Sequence, residues 1–348
     1  MRIAQLTSNL HKVSPTSTQA IYSHAAWLTN GLVGLGNDVT LFASGDSETA
    51  GKLFSVSEKT TFAQTEEYRR NYLNLLASKC YENAANFDII HSHLTLISSY
   101  FSNFVDTPTV ISVHSPIDGH TKIFVEHYKN NNYVSFSLAQ RKQMPDLNWV
   151  ANVYHGVDTK LFSYNETPKD YFLYLGRITE EKGVHFAIEA AKAAGVPLVI
   201  AGRSYQAEGY WHEHMEKNID GKMISYIGEA NFETKIEYLR NAKALLFPTQ
   251  YDEVFGLVMI EAMACGTPVI GWNKGSVSEV IQDGHTGFVV NSVDGMVKAI
   301  NNIDKIRRAD CRKRAEMFFS IEKMVAGYER VYLRIIEEHR AKLAQKKK

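Results

Sequence analysis

The sequence predicts an α/β protein built from two doubly wound domains. Three observations carry that expectation. Short apolar runs alternate with longer helical patterns, the alternation restarts after residue 160, and the residues with chemical potential stand just after the runs. Strand, helix, strand in series argues for a parallel sheet covered on both faces. In such sheets ligands gather at the carboxyl ends of the strands, and with two domains facing one another the expected site is the cleft between them.

In the first half, strands are expected at 2–6, 38–43, 88–91 and 109–114, with helices over 20–35 and 68–85. In the second half the strand 171–175 precedes a helix over 184–194, which Gly195 and Pro197 stop before the strand 198–201. The strand 223–227, the helix 233–241, the strand 244–247, the helix 257–265 and the strand 268–271 complete the series. The segment 155–169 carries Gly156, Asp158, Asn165 and Pro168 and reads as the linker. The expected domains are 1–160 and 161–348, with the last helix packing back toward the first domain.

Composition narrows the function classes. Of 348 residues, 45% are hydrophobic and 22% charged, which excludes a disordered chain, a collagen and a coiled-coil rod. With 38 basic and 38 acidic residues the net charge is zero, so no nucleic-acid partner is expected. Three cysteines, Cys80, Cys265 and Cys311, argue against a disulfide framework and suit a reducing cytosol. No apolar run reaches the roughly 18 residues of a membrane span. The basic end, 340–348, reads as a solvated helix end or as a weak handle on anionic lipid, so the expected location is cytoplasmic, with possible contact at the inner membrane face.

Four segments hold the candidate chemistry. In YDEVFGLVMIEAMACGTPVI, Phe255 and Gly256 precede a helix whose amino end suits an anion, with Glu253 in the entry loop and Glu261 on the helix. The small, apolar neighbours of Glu261 bury it, so it needs a partner. In YLGRITEEKGV, Gly176 permits a turn, and Arg177 and Lys182, five residues apart, suit a diphosphate, the plainer reading being surface cations paired with Glu180 and Glu181. In TVISVHSP, His114 ends a β-branched run and is placed to meet a sugar hydroxyl or to hold its own loop. In GWNKGSVSEVIQDGHTGFVV, Gly275 and Ser276 follow a strand, while Gly284 and Gly287 read as a hairpin-like turn. His91 and His93 in HSH lack a carboxylate or cysteine set, so no metal site is expected. No G-x-G-x-x-G follows the first strand, and no phosphate-binding G-x-x-x-x-G-K-[ST] loop or Asp-x-Asp metal pair is present. An anion site of Arg, Lys and helix amides with carboxylates alongside fits a nucleotide sugar bound without metal.

These motifs identify a resemblance. LGRITEEKG, LVIAG, ALLFPTQYDEVFGLVMIEAMACGTPVI and KGSVSEVIQDGHTGFVV, with VTLFASGDS, IIHSHL, VISVHSP and YHGVD before them, resemble the retaining glycosyltransferases of family four. The resemblance implies the GT-B fold, two Rossmann-like domains facing a cleft, with an acceptor domain first and a nucleotide-sugar domain second. It implies transfer of a hexosyl unit from a UDP- or GDP-linked sugar to a glycan, lipid or small-molecule acceptor in polysaccharide assembly, with retention and no cofactor or metal. It gives Glu253 the reacting sugar, Glu261 the ribose, Arg177 and Lys182 the diphosphate, and Gly176, Phe255, Gly256 and Leu257 the donor backbone contacts. His114 matches a sugar-contacting histidine, and Gly202, Arg203 and Ile227 lie where the base is gripped. The glycine pair usual before the first helix is replaced by Gln19 and Ala20, which keeps open a second expectation: a nucleotide-sugar-binding regulatory or partner subunit without transfer.

Overall fold

The computed structural model describes residues 1–204 and 209–346, without the side chains of His120 and Lys346. It divides into two compact units, Met1–Gly156 with Ile321–Lys348, and Val157–Ser320. Residues 347 and 348 of the basic end lie outside the described residues.

The first unit holds a seven-stranded sheet: β1 (Arg2–Leu6), β2 (Asp38–Phe42), β3 (Lys52–Phe54), β4 (Ile89–Ser92), β5 (Thr109–Ser112), β6 (Asn132–Ser135) and β7 (Trp149–Asn152). The order is β3-β2-β1-β4-β5-β6-β7 with every pairing parallel, so the chain reverses direction across the sheet between β1 and β4. β4 and β5 are buried along their whole length. Helices cover both faces of such strands, which therefore read as continuous apolar runs. β3, β6 and β7 were not expected: β3 is three residues long, and β6 and β7, NYVS and WVAN, carry polar ends that hide the pattern.

The helix Ala20–Gly34 is buried on several sides, at Tyr22, His24, Ala25, Ala26, Trp27, Leu28 and Leu32 among others. The last helix, Ile321–Lys346, lies against it. Gly31 lets the two approach: a Cβ there would stand 2.4 Å from Val325 Cγ2. From the last helix the fully buried Tyr328 and Tyr332 reach Ser112 Oγ at 2.8 Å and His91 Nδ1 at 2.6 Å.

The second unit holds β8 (Phe172–Leu175), β9 (Leu198–Ala201), β10 (Ile224–Tyr226), β11 (Leu245–Phe247), β12 (Val269–Trp272) and β13 (Gly287–Val290). The order is β10-β9-β8-β11-β12-β13, again all parallel, with the switch between β8 and β11. The turn expected at Gly284 and Gly287 is present, with Gly284 N–H donating to Gly287 O at 2.9 Å, but it closes no hairpin: residues from Gly287 form a strand parallel to β12.

The unit boundaries differ from 160/161. The crossing falls after Gly156, because Val157 N–H donates to Phe319 O at 2.8 Å and both Val157 and Phe162 are fully buried. The segment read as a linker therefore lies mostly within the second unit, anchored in its core by Val157 and Phe162. The chain returns at Ile321, so the last helix is part of the first unit rather than an appendage of the second.

Candidate active site

In the second unit the expected donor residues follow consecutive strands at one sheet end. β8 leads to Gly176 and Arg177 and then to a short turn of helix, Glu180–Lys182. β11 leads through Pro248 to Tyr251, Glu253 and Gly256. These are the two strands that flank the switch point, where a crevice opens in this topology.

Backbone geometry locks the two loops together. Gly183 has φ +71°, and a Cβ there would lie 2.1 Å from Pro248 O. Gln250 N–H donates to Glu181 O at 2.8 Å. From the loop after β12, Gly275 packs so closely that a Cβ would lie 2.2 Å from Glu253 O, while Ser276 N–H reaches the same carbonyl at 3.0 Å.

The result is a polar triad. Lys182 Nζ lies 2.7 Å from Glu253 Oε2, with side chains 18% and 12% exposed. Tyr251 hydroxyl donates to Glu253 Oε2 at 2.7 Å and also bonds Lys182 Nζ. Burial, and then the neighbouring carboxylate, push the Tyr251 phenol well above its ordinary value, so it stays protonated and donates. Lys182 and Glu253, expected as separate ligand contacts, are thus partners of each other. Arg177 is exposed and paired with Glu181 at 2.9 Å, which is the plainer reading for that cation. Its charge still acts on the Tyr251 phenol.

The helix Leu257–Ala264 starts at Gly256, whose φ of +78° turns the chain into it. The Phe255 side chain is 2% exposed and packs edge-on to Phe319, so any ligand contact there is through the backbone. Glu261 is buried, as expected, and its partner is Lys235 Nζ at 2.6 Å. Gly202 N–H donates to Gly228 O at 2.8 Å, and a Cβ on Gly202 would stand 1.8 Å from Gly176 O. Arg203 is exposed beside it. Ile227 N–H is already taken by Ile200 O at 3.0 Å, which leaves its carbonyl and side chain for any base.

His114 lies in the first unit, two residues past β5, half-buried within a cluster that sequence reasoning missed. His93 Nδ1 is 2.8 Å from His114 Nε2, His93 Nε2 is 3.1 Å from Gln5 Oε1, and His24 Nδ1 is 2.8 Å from His155 Nδ1. His91 bonds Ser112 Oγ at 2.8 Å. Burial, before any other cause, holds all five imidazoles below their ordinary range, down to about 3 for His93 and His155, so they are neutral near pH 7. Lys235 and Tyr251 were missed as well. The signal for Lys235 was its place on the apolar stripe Phe232, Lys235, Leu239, an unusual seat for a lysine unless a carboxylate waits opposite.

Known proteins share this architecture. A family model described as glycosyl transferases group 1 matches residues 158–317. The chain is 25% identical over 271 residues to an uncharacterized glycosyltransferase of Methanocaldococcus jannaschii, covering 70% of this chain and 75% of that one. A solved glycosyltransferase involved in avilamycin A biosynthesis superposes with a TM-score of 0.74 at 20% identity, covering 97% and 98% of the two chains. An Anabaena protein solved in complex with UDP and glucose superposes at 0.71 with 15% identity, covering 95% and 98%. The fold is the GT-B fold, and the match to the group 1 glycosyltransferases falls within the second unit. Among the described residues, no helix is long and apolar enough to cross a membrane.

Proposed function

We propose that the protein moves a hexosyl unit from a UDP- or GDP-linked sugar to a glycan, lipid-linked or small-molecule acceptor, with retention and with no metal on the diphosphate. The Lys182–Glu253–Tyr251 triad at the switch point supports this reading most directly. A UDP-bound neighbour of the same fold is consistent with it. The bond from the anomeric carbon to the diphosphate oxygen breaks, and the acceptor oxygen bonds the same carbon from the same face. The acceptor proton passes to the departing phosphate oxygen.

Lys182, Arg177 and the amides after Gly256 stabilise the charge that grows on the leaving group. Removing one preorganised donor of this kind typically costs about 10²–10³-fold in rate. Glu253 orients the sugar, Glu261 the ribose hydroxyls, and Gly176, Gly202, Arg203, Ile227 and Leu257 line the nucleotide. His114 is the first unit's contribution, a hydrogen bond to a sugar hydroxyl. We place the reaction in the cytoplasm, with the basic end of the last helix as a weak contact to the inner membrane face.

The test is donor turnover. A thermal-shift panel of nucleotide sugars identifies the donor, because a specific ligand stabilises in proportion to its occupancy. That donor is then incubated with candidate acceptors and product is read by mass spectrometry with chelator present. Lys182→Ala is expected to lose at least 10²-fold in turnover at saturating donor. Stabilisation by a donor that no acceptor or water consumes would overturn the transfer reading, and full activity of Lys182→Ala would overturn the leaving-group role.

A further inference from the structure

The histidine cluster of the first unit holds one atom that its own hydrogen bonds do not explain. His24 is fully buried in the helix Ala20–Gly34, its Nδ1 faces His155 Nδ1, and its Nε2 has no hydrogen-bond partner among the described residues. Leaving a buried polar nitrogen unpaired forfeits its hydration with nothing in return. Ring nitrogens of His24, His93 and His114 all lie within 4.8 Å of one another.

We propose that His24 Nε2, His93 Nδ1 and His114 Nε2 form a binding site for a zinc-type divalent ion in the first unit. Three imidazoles suit zinc, copper and nickel, with zinc–nitrogen bonds of about 2.0–2.1 Å. Nitrogens on one tetrahedral ion then stand about 3.3 Å apart, so adjustments on the order of an ångström close the site. Burial keeps the rings neutral, and each lone pair is available without first losing a proton to solvent.

The neighbours are those a metal-bound histidine needs. A ligating imidazole donates its other N–H to a fixed acceptor, which sets its tautomer and orientation. His93 Nε2–H has Gln5 Oε1 at 3.1 Å, and Tyr332 holds that amide by accepting from Gln5 Nε2 at 3.1 Å. His24 Nδ1–H has His155 Nδ1 at 2.8 Å, and the His155 ring stacks on Phe136 at 3.9 Å. In the metal-free state a single proton bridges His93 Nδ1 and His114 Nε2. On binding it moves to His114 Nδ1, so no net proton is lost. That outer nitrogen remains free for the sugar contact proposed above, and the metal proposal does not depend on the transfer reading.

The three ligands come from the helix Ala20–Gly34 and from the segments just after β4 and β5. The ion therefore pins the first helix to the carboxyl ends of those strands. No carboxylate or thiolate belongs to the set, so the double charge favours an anionic fourth ligand, hydroxide or a ligand oxygen, beside the half-buried His114.

The experiment uses the full chain, stripped with chelator and given one equivalent of Co²⁺ and then Zn²⁺. The expected result is one tetrahedral Co²⁺ per chain, seen as strong visible absorption, displaced by Zn²⁺ and retained through dialysis by elemental analysis. Gln5→Met, which removes the acceptor behind His93, should weaken binding about 10–100-fold. His24→Leu should abolish the tetrahedral spectrum, while His212→Ala, at an exposed histidine of the second unit, should leave it unchanged. Should His24→Leu fail to fold, ring ¹⁵N shifts of the unaltered chain decide instead: Zn²⁺ must move one nitrogen each of His24, His93 and His114. Overturning outcomes are Co²⁺ that stays octahedral, metal lost on dialysis, or binding that survives His24→Leu.

Discussion

Lys235→Met tests whether the Lys235–Glu261 pair holds the second unit together. The two groups meet at 2.6 Å with side chains 10% and 7% exposed, and the ammonium also stands 5.2 Å from the rings of Phe162 and Phe232. Methionine keeps the length of the stem and its packing on those rings, but leaves the Glu261 carboxylate buried without its cation. Breaking one side of a buried pair costs about 3–5 kcal/mol, whereas replacing both partners with apolar groups is often neutral. Lys235→Met with Glu261→Leu should therefore recover most of the loss, a coupling of about 3 kcal/mol. The free cysteines are local reporters. Cys265 and Cys311 are buried in the second unit, and burial lifts both thiols to about 12, so they react only when their surroundings open. A loss of 3 kcal/mol raises the open population roughly 100-fold. Alkylation at Cys265 and Cys311, read by mass spectrometry in dilute urea, should accelerate by about that factor in the single variant and return toward the original rate in the double. Equal rates in the original and single variants, or a double variant as labile as the sum of both singles, would refute the pairing argument.

The other predictions are these. Arg308 is 8% exposed and donates to the carbonyls of Asn165, Arg240 and Ala242 and to Thr267 Oγ1, so Arg308→Lys, which loses the planar fork, should destabilise the second unit by about 3 kcal/mol in urea melts. Gly202→Ala forces a Cβ against Gly176 O at a φ of +152°, and the displaced loop after β8 should bind the donor at least tenfold more weakly by calorimetry while the far-ultraviolet dichroism is unchanged. Tyr251→Phe keeps the 2.7 Å contact of Lys182 with Glu253 but removes the bridging hydroxyl, and should lower donor turnover by about tenfold or less, clearly less than Lys182→Ala.

Most of the second unit was legible because its chemistry is local in sequence. Gly176, Arg177 and Lys182 follow one strand and Glu253, Gly256 and Glu261 another, and strand-then-loop order alone assigns them to one sheet end. The expectation that Glu261 needs a partner held for the same reason: its neighbours in sequence are buried apolar residues. The identity of that partner was less accessible, since Lys235 lies on a different helix. Two of the strands expected in the first half end one or two residues early, at Phe42 and Ser112, because the buried Ala43 and Val113 carry the apolar pattern into the loops.

The first unit's cluster was illegible for a different reason. Its histidines lie at 24, 91, 93, 114 and 155, and Tyr328 and Tyr332 join them from the far end of the chain. No spacing rule connects such positions, and HSH alone carries weak metal information. Topology makes them neighbours: β4 lies between β1 and β5, so His91 stands opposite Gln5 on one side and reaches Ser112, two residues past its register partner Val110, on the other, and the last helix returns to cover them. A sequence reading could have found one clue. His24 sits at the centre of AIYSHAAWL, where small and aromatic residues surround it on every side of a helix. A histidine in that position is buried, and a buried histidine must find partners for two nitrogens. One of His24's two has His155; the other is left with the lone pair that an ion would take.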